Sequence, residues 1–244
     1  MYRTLEKKFK ISEKEMKNYF KHVAVIPARK SSKSLPFKNR FLFKYTAEFL
    51  KGNKLFDEVY VNSDDLFLDN LASKYGFNFF KRQKKLATDK SCIKEVFVDM
   101  KKKLKFKDNT FIWLFYIPLV YKNISDFKKS IKLVEEKRLN SLCAFKKSDT
   151  HPMSCWYIKK KRPFQFIKNN LCRRQDFPLA YSHHHYICGF NVKILNKLNN
   201  ELIFKGTYPI VLNSKTSKKL IEVDTPKELK KFKEMIKNEK TKNN

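Results

Sequence analysis

A chain of 244 residues with 42% hydrophobic content can bury a full core, and no apolar run approaches the roughly 18 residues that a membrane-spanning helix needs. Its formal net charge of +31 invites a polyanionic partner, yet only eight of the 55 basic residues are arginine, the side chain that makes bidentate contacts to phosphates and bases. Abundant lysine with only four glycines is what an AT-rich coding sequence produces, so charge alone argues for weak attraction to anionic surfaces and against a dedicated nucleic-acid-binding protein.

Along the chain, residues 1–21 are charged throughout, lack the apolar segment of a signal peptide and space Leu5, Phe9, Met16, Tyr19 and Phe20 as a helix does. They predict a basic N-terminal helix ahead of the domain and a cytoplasmic protein. Strands are predicted at 22–27, 58–62, 77–80, 110–117, 141–145, 154–158, 186–191 and 219–223. Helices are predicted at 40–51, 65–75, 91–105, 124–138, 191–199 and 226–239, the last introduced by Asp224-Thr225-Pro226, a cap followed by proline. Strands alternating with helices predict an α/β fold: a three-layer α/β/α sandwich with a mostly parallel central sheet. One domain is predicted over 22–239, with a small subregion at 146–190 and a disordered tail at 240–244. Five scattered cysteines (Cys92, Cys143, Cys155, Cys172, Cys188), with no C-x-x-C pair, read as free thiols of a reducing compartment.

Chemistry concentrates in five segments. The buried strand at Val23–Ile26 runs into a loop carrying Arg29, Lys33 and Lys38, three cations where a sheet of this type binds ligands; a polyanion such as a nucleoside triphosphate fits them. Asp57 to Asp65 forms a second strand ending in Asn62-Ser63-Asp64, which either borders that pocket or caps the next helix. Arg82 precedes Leu86-Ala87-Thr88-Asp89, where Asp89 reads as a cap for a helix starting near Ser91. Arg173-Arg174-Gln175-Asp176 places two guanidinium groups together, suited to a carboxylate. Glu222 and Asp224, two apart on a strand, point to one side and suit Mg²⁺; the plainer alternative is that Asp224-Thr225 only caps the last helix. His183-His184-His185 adds a possible metal or anion pair in His183 and His185, against the plain reading of a polar loop.

Taken in order, these segments resemble the sugar-nucleotide cytidylyltransferases, the family that makes CMP-activated acylneuraminate and related pseudaminic and legionaminic keto-sugar acids. The resemblance runs from about Val23 to Leu229. The family's loop reads Ile-Pro-Ala-Arg-Gly-Gly-Ser-Lys-Gly, then Pro-x-Lys-Asn; Arg29, Ser32, Lys33, Pro36, Lys38 and Asn39 match, while Lys30, Ser31 and Ser34 replace glycines. Ile112 to Pro118 stands where relatives carry Gln, Thr and Ser, and only Pro118 aligns. Glu222 stands for the family's first metal-binding aspartate. The resemblance implies a fold of the nucleotide-diphospho-sugar transferase (GT-A-like, Rossmann-like) type. It implies transfer of CMP from CTP to a sialic-acid-like keto-sugar acid with release of pyrophosphate, for surface glycans such as lipopolysaccharide or capsule, by a homodimer. It also implies that Ala28, Arg29, Ser32, Lys33, Asn39, Ser63, Asp64 and Arg82 bind the nucleotide. Arg29, Lys33 and Lys38 then neutralise its triphosphate, Arg173, Arg174 and Gln175 hold the acidic sugar, and Asp224 with Glu222 holds Mg²⁺. A degenerate or substrate-switched homologue is the alternative within the fold; a basic nucleic-acid-binding protein is the alternative of another class.

Overall fold

The computed structural model describes residues 20–32 and 34–241. The predicted N-terminal helix, Lys33 and the last three residues of the predicted tail lie outside the described residues. Within them, Lys21 is no helix end: its N–H donates to Asn109 O at 2.9 Å and it opens the first strand, β1 (Lys21–Ala28). There follow α1 (Lys38–Asn53), β2 (Glu58–Ser63), α2 (Leu66–Tyr75), β3 (Asn78–Lys81), α3 (Ile93–Leu104), β4 (Thr110–Leu114) and α4 (Ile124–Lys137). The second half holds β5 (Ser141–Lys147), β6 (Trp156–Lys159), β7 (Arg162–Gln165), β8 (Tyr181–Asn191), β9 (Tyr208–Val211), α5 (Ser214–Lys219) and α6 (Pro226–Thr241). No Gly or Pro interrupts α6, so Lys240 and Thr241 continue that helix instead of opening a tail.

Seven strands form one sheet in the order β3-β2-β1-β4-β8-β5-β9, and β6 pairs with β7 in a separate hairpin. All neighbours run parallel except β8, which is antiparallel to both β4 and β5. The central sheet is therefore mostly parallel, with helices on both faces, an α/β fold. The alternation within β1 shows the layering: Ala24, Ile26 and Ala28 join one core with α1, α2, α4 and α6, while Val23 and Val25 join the other with α3. Strand β4 divides likewise, Phe111 and Trp113 to the first core, Ile112 and Leu114 to the second. Burial on both faces is why these strands read as continuous apolar runs. Trp113, fully buried, donates its Nε1–H to His22 Nδ1 at 2.9 Å, so its polar edge stays paired.

One close approach in this sheet is specific to glycine. A Cβ at Gly189 of β8 would lie 2.7 Å from Phe111 Cε1 and 3.1 Å from the Ile112 carbonyl oxygen. Gly189→Ala is expected to destabilise the fold by about 1–3 kcal/mol through overpacking, read as a lower urea midpoint; an unchanged midpoint would show that the β4–β8 seam can spread.

Five predicted elements differ from the structure. The strand predicted at 186–191 begins earlier, at Tyr181, so His183, His184 and His185 lie on a strand instead of a loop. The strand predicted at 110–117 stops at Leu114, after which 115–119 leaves the sheet. Instead of a strand at 219–223 there is α5 and then a single bridge between Leu119 and Glu222. Pro118 lies beside that bridge and has no N–H to extend a ladder; its carbonyl accepts from Val223 N–H at 2.9 Å. The helix predicted at 191–199 is a 3₁₀ segment, Val192–Lys197, capped by Asn191. Helix α3 begins at Ile93 with Cys92 and Glu95 closing its first turn, so Asp89 is not its cap. Among the described residues no helix is long and apolar enough to cross a membrane.

Candidate active site

Strand β1 connects through α1 to β2 on one side, while β4 lies on its other side. A crevice opens where such connections diverge, beyond the carboxyl ends of the strands. There the structure has a cleft of about 420 Å³ whose walls include Pro27 and Arg29 after β1, Lys38 and Asn39 in the first turn of α1, and Tyr116 and Pro118 after β4. Arg82, Asp89, Glu201, Glu222 and Asp224 are the remaining charged residues of its lining.

Each cation is held by a local arrangement. Asn39, buried, donates its side-chain N–H to the Arg29 carbonyl at 2.8 Å and so ties the loop to α1. On the other side of the loop, Asp64 Oδ1 accepts the Lys30 N–H at 2.8 Å. Arg29 pairs with Asp89 at 2.5 Å. Arg82 leaves the end of β3 and is only 7% exposed; its Nε and terminal N–H donate to Asn62 Oδ1 (2.5 Å) and to the Asn62 carbonyl (3.1 Å). Burial pulls its guanidinium down to about 10, partly offset by the charge of Asp64, so it remains cationic at neutral pH. Lys38 is drawn to Asp224, and that ion pair joins positions 186 residues apart.

Glu222 and Asp224 lie just ahead of α6 on the cleft. Thr225 immediately precedes the helix, and Glu228 Oε2 accepts the N–H of Asp224 (2.9 Å) and of Thr225 (2.8 Å). Glu228 thus performs the capping that the sequence offered to Asp224, and the Asp224 carboxylate faces the cleft. Burial pushes the Glu222 carboxyl up, and the neighbouring charge of Asp224 adds to the shift. Two oxygen-donor groups that feel each other's charge form a set suited to a hard divalent cation.

Other predicted site residues sit elsewhere. Ala28 and Ser63, register partners at the ends of β1 and β2, are fully buried, and Ser63 Oγ accepts the Asp65 N–H at 2.9 Å. The cap of α2 is Asp65, which also takes a two-pronged contact from Arg40 at 2.7 and 2.9 Å. Ser32 is half-buried and does not line the cleft. Arg173, Arg174 and Gln175 are exposed around a 3₁₀ turn, Arg173 paired with Asp176, and none of them lines the cleft.

A family model described as cytidylyltransferase matches residues 23–234. The chain belongs to the cytidylyltransferase family. Over 93 residues it is 34% identical to a Helicobacter pylori protein described as a pseudaminic acid cytidylyltransferase and UDP-2,4-diacetamido-2,4,6-trideoxy-beta-L-altropyranose hydrolase, covering 35% of this chain and 18% of that protein. Over 77 residues it is 38% identical to the N-acylneuraminate cytidylyltransferase of Escherichia coli, covering 29% and 18%. The matched segments thus span about a fifth of these two relatives. In three dimensions it is similar to CMP:2-keto-3-deoxy-manno-octonic acid synthetase solved with CTP, at a TM-score of 0.63 and 15% identity, over 90% of this chain and 99% of that one; at such identity the likeness is one of fold.

This cytidylyltransferase chain lines its cleft with three residues that sequence reasoning did not single out for it. Asp89 was legible as polar but was assigned to a helix cap; Tyr116 sits past the end of a strand predicted to be longer; Glu201 comes from a loop without a motif. The replaced glycines also have a structural answer. None of Lys30, Ser31 and Ser34 has positive φ, so the loop path here does not require glycine; the left-handed residue is Phe37, at φ 56°, just before α1. The double variant Ser31→Gly, Ser34→Gly is therefore expected to keep or improve nucleotide affinity in calorimetric titration, and a marked loss would mean that the loop has a different geometry from that of relatives.

Proposed function

We propose that the cleft binds CTP and transfers its CMP group to a keto-sugar acid of the sialic-acid type, releasing pyrophosphate. The observation that carries this reading is the meeting of Lys38 and Asp224 across one cleft that Arg29 and Arg82 also enter. Arg29 and Lys38 bind the triphosphate, exchanging their present carboxylate partners for phosphate oxygens. Arg82, charged and fixed to Asn62, holds positive potential on the nucleotide side. An acceptor hydroxyl oxygen of the sugar attacks the α-phosphorus as its proton passes to solvent, the bond from that phosphorus to the bridging oxygen breaks, and pyrophosphate departs. Such a transfer depends on positioning and charge stabilisation. Asp224 and Glu222 are the residues that would hold Mg²⁺, which when bound supplies electrophilic polarisation of phosphate oxygens.

The partner in this reading is a second copy. The β6–β7 hairpin and the chain after it expose apolar side chains, with Ile158 70%, Phe166 66% and Leu179 72% exposed, a density that supports an interface. Ile158→Asp with Phe166→Asp is expected to convert a dimer to a monomer in light scattering; a wild-type monomer would contradict the assembly. A weakened or substrate-switched enzyme is the second reading, favoured by the absence of Gln, Thr and Ser between Ile112 and Pro118. Incubation with each of the four nucleoside triphosphates, Mg²⁺ and a panel of keto-sugar acids decides: CTP-selective pyrophosphate release supports the first reading. No release with any combination would favour the second. Salt-sensitive nucleic-acid binding that CTP does not displace would favour neither.

A further inference from the structure

The histidine run on β8 has no part in the chemistry described above, and its geometry is specific. His183 and His185 are alternate residues of one strand, so their imidazoles leave the same face; their ring centroids are 5.1 Å apart. His184 turns the other way, its Nδ1 accepting the Tyr186 N–H at 3.1 Å. Facing the outer two is Glu201, on a loop shaped by Asn199, whose Oδ1 accepts the N–H groups of Glu201 (3.0 Å) and Ile203 (2.9 Å). His183 Nε2 lies 3.1 Å from Glu201 Oε2, and His185 Nε2 lies 3.4 Å from the Glu201 carbonyl oxygen. The ring of Tyr116 packs edge-on against His185 at 5.1 Å and sets its orientation. One ligand atom from each of His183, His185 and Glu201 lies within 4.8 Å of the others.

We propose that His183, His185 and Glu201 form a site for a divalent transition-metal ion of the zinc type at the rim of the cleft, separate from the Glu222–Asp224 pair. Ligands about 2.0–2.2 Å from such an ion stand roughly 3.3–3.6 Å apart in a tetrahedron, so ligand atoms already within 4.8 Å of one another can close on an ion by side-chain rotation. Two imidazoles and one carboxylate select zinc-like ions, whereas the two carboxylates of Glu222 and Asp224 suit Mg²⁺. Three protein ligands leave a coordination position for an oxygen ligand, and Glu201 with its neighbour Asn200 lines the cleft, so that position adjoins bound substrate. The proposal does not rest on CTP as the nucleotide.

The test uses the full chain, stripped of metal with a chelator and then titrated with Zn²⁺ against a chromophoric competitor and with Co²⁺ by visible absorption. One equivalent of Zn²⁺ is expected at micromolar affinity or tighter, with a cobalt spectrum lacking thiolate charge-transfer bands. The double variant His183→Ala, His185→Ala should weaken binding by about 100-fold or more, and Glu201→Gln, exposed and harmless to folding, by at least tenfold. Glu222→Ala with Asp224→Ala should leave that equivalent in place. Absence of saturable Zn²⁺ binding below millimolar concentration, or affinity unchanged in both histidine and Glu201 variants, would overturn the proposal.

Discussion

Asp224→Ala is expected to lower CTP-dependent pyrophosphate release by about 1,000-fold. Loss of a carboxylate from a catalytic Mg²⁺ site removes several kcal/mol of transition-state stabilisation, and each factor of ten corresponds to about 1.4 kcal/mol. The fold should survive the change. Thr225 and Glu228 cap α6 without the Asp224 carboxylate, and the partly exposed Lys38–Asp224 pair contributes about 1 kcal/mol or less to stability. The expected result is therefore a normal circular dichroism spectrum with a nearly unchanged melting temperature, and a kcat/KM that higher Mg²⁺ restores only in part. Turnover within tenfold of the wild type would remove Asp224 from the metal site.

Lys38→Ala is expected to cost about 100- to 1,000-fold in kcat/KM, the range found when one preorganised donor to developing charge is deleted. Lys38 projects from the first turn of α1, whose N-terminus has no side-chain cap and no acidic residue in its first turn, so the positive end of the helix faces the same cleft. Lys38→Arg keeps the charge but changes its shape and reach, and should recover part of the loss. In the double variant with Asp224→Ala the two losses should not add, because under the proposed function both residues act on one bound nucleotide. Full turnover in Lys38→Ala would assign the lysine to holding Asp224 alone.

The parts of this arrangement that were legible in the sequence are those with strong local signals. The run from Val23 to Ile26 is apolar on consecutive residues because both faces of β1 are buried, and Asp224-Thr225-Pro226 marks the start of α6. The parts that were not legible lack such signals. The β6–β7 hairpin turns on Lys160 and Lys161, both at positive φ, where Asn or Gly is the usual cue. Helices α1, α3 and α4 end on left-handed Lys54, Lys105 and Arg138 in place of glycine. Strand β9 is a four-residue edge containing Pro209, and α5, Ser-Lys-Thr-Ser-Lys-Lys, has no apolar stripe. At the site, Glu222 and Asp224 were read as neighbours on a strand; they reach one cleft through a single bridge and a helix start, a geometry set by Pro118 far away in the chain. Arg173 and Arg174 carried a recognisable motif, but local spacing says nothing of where an exposed turn sits relative to a cleft.

A crystal structure of the protein with CTP and Mn²⁺, collected at a wavelength that reveals manganese, addresses the central claim most directly. The account predicts triphosphate oxygens against Arg29 and Lys38 and an anomalous peak between Glu222 and Asp224. Nucleotide bound on another face, or manganese held away from both carboxylates while the triphosphate occupies the cleft, would contradict it.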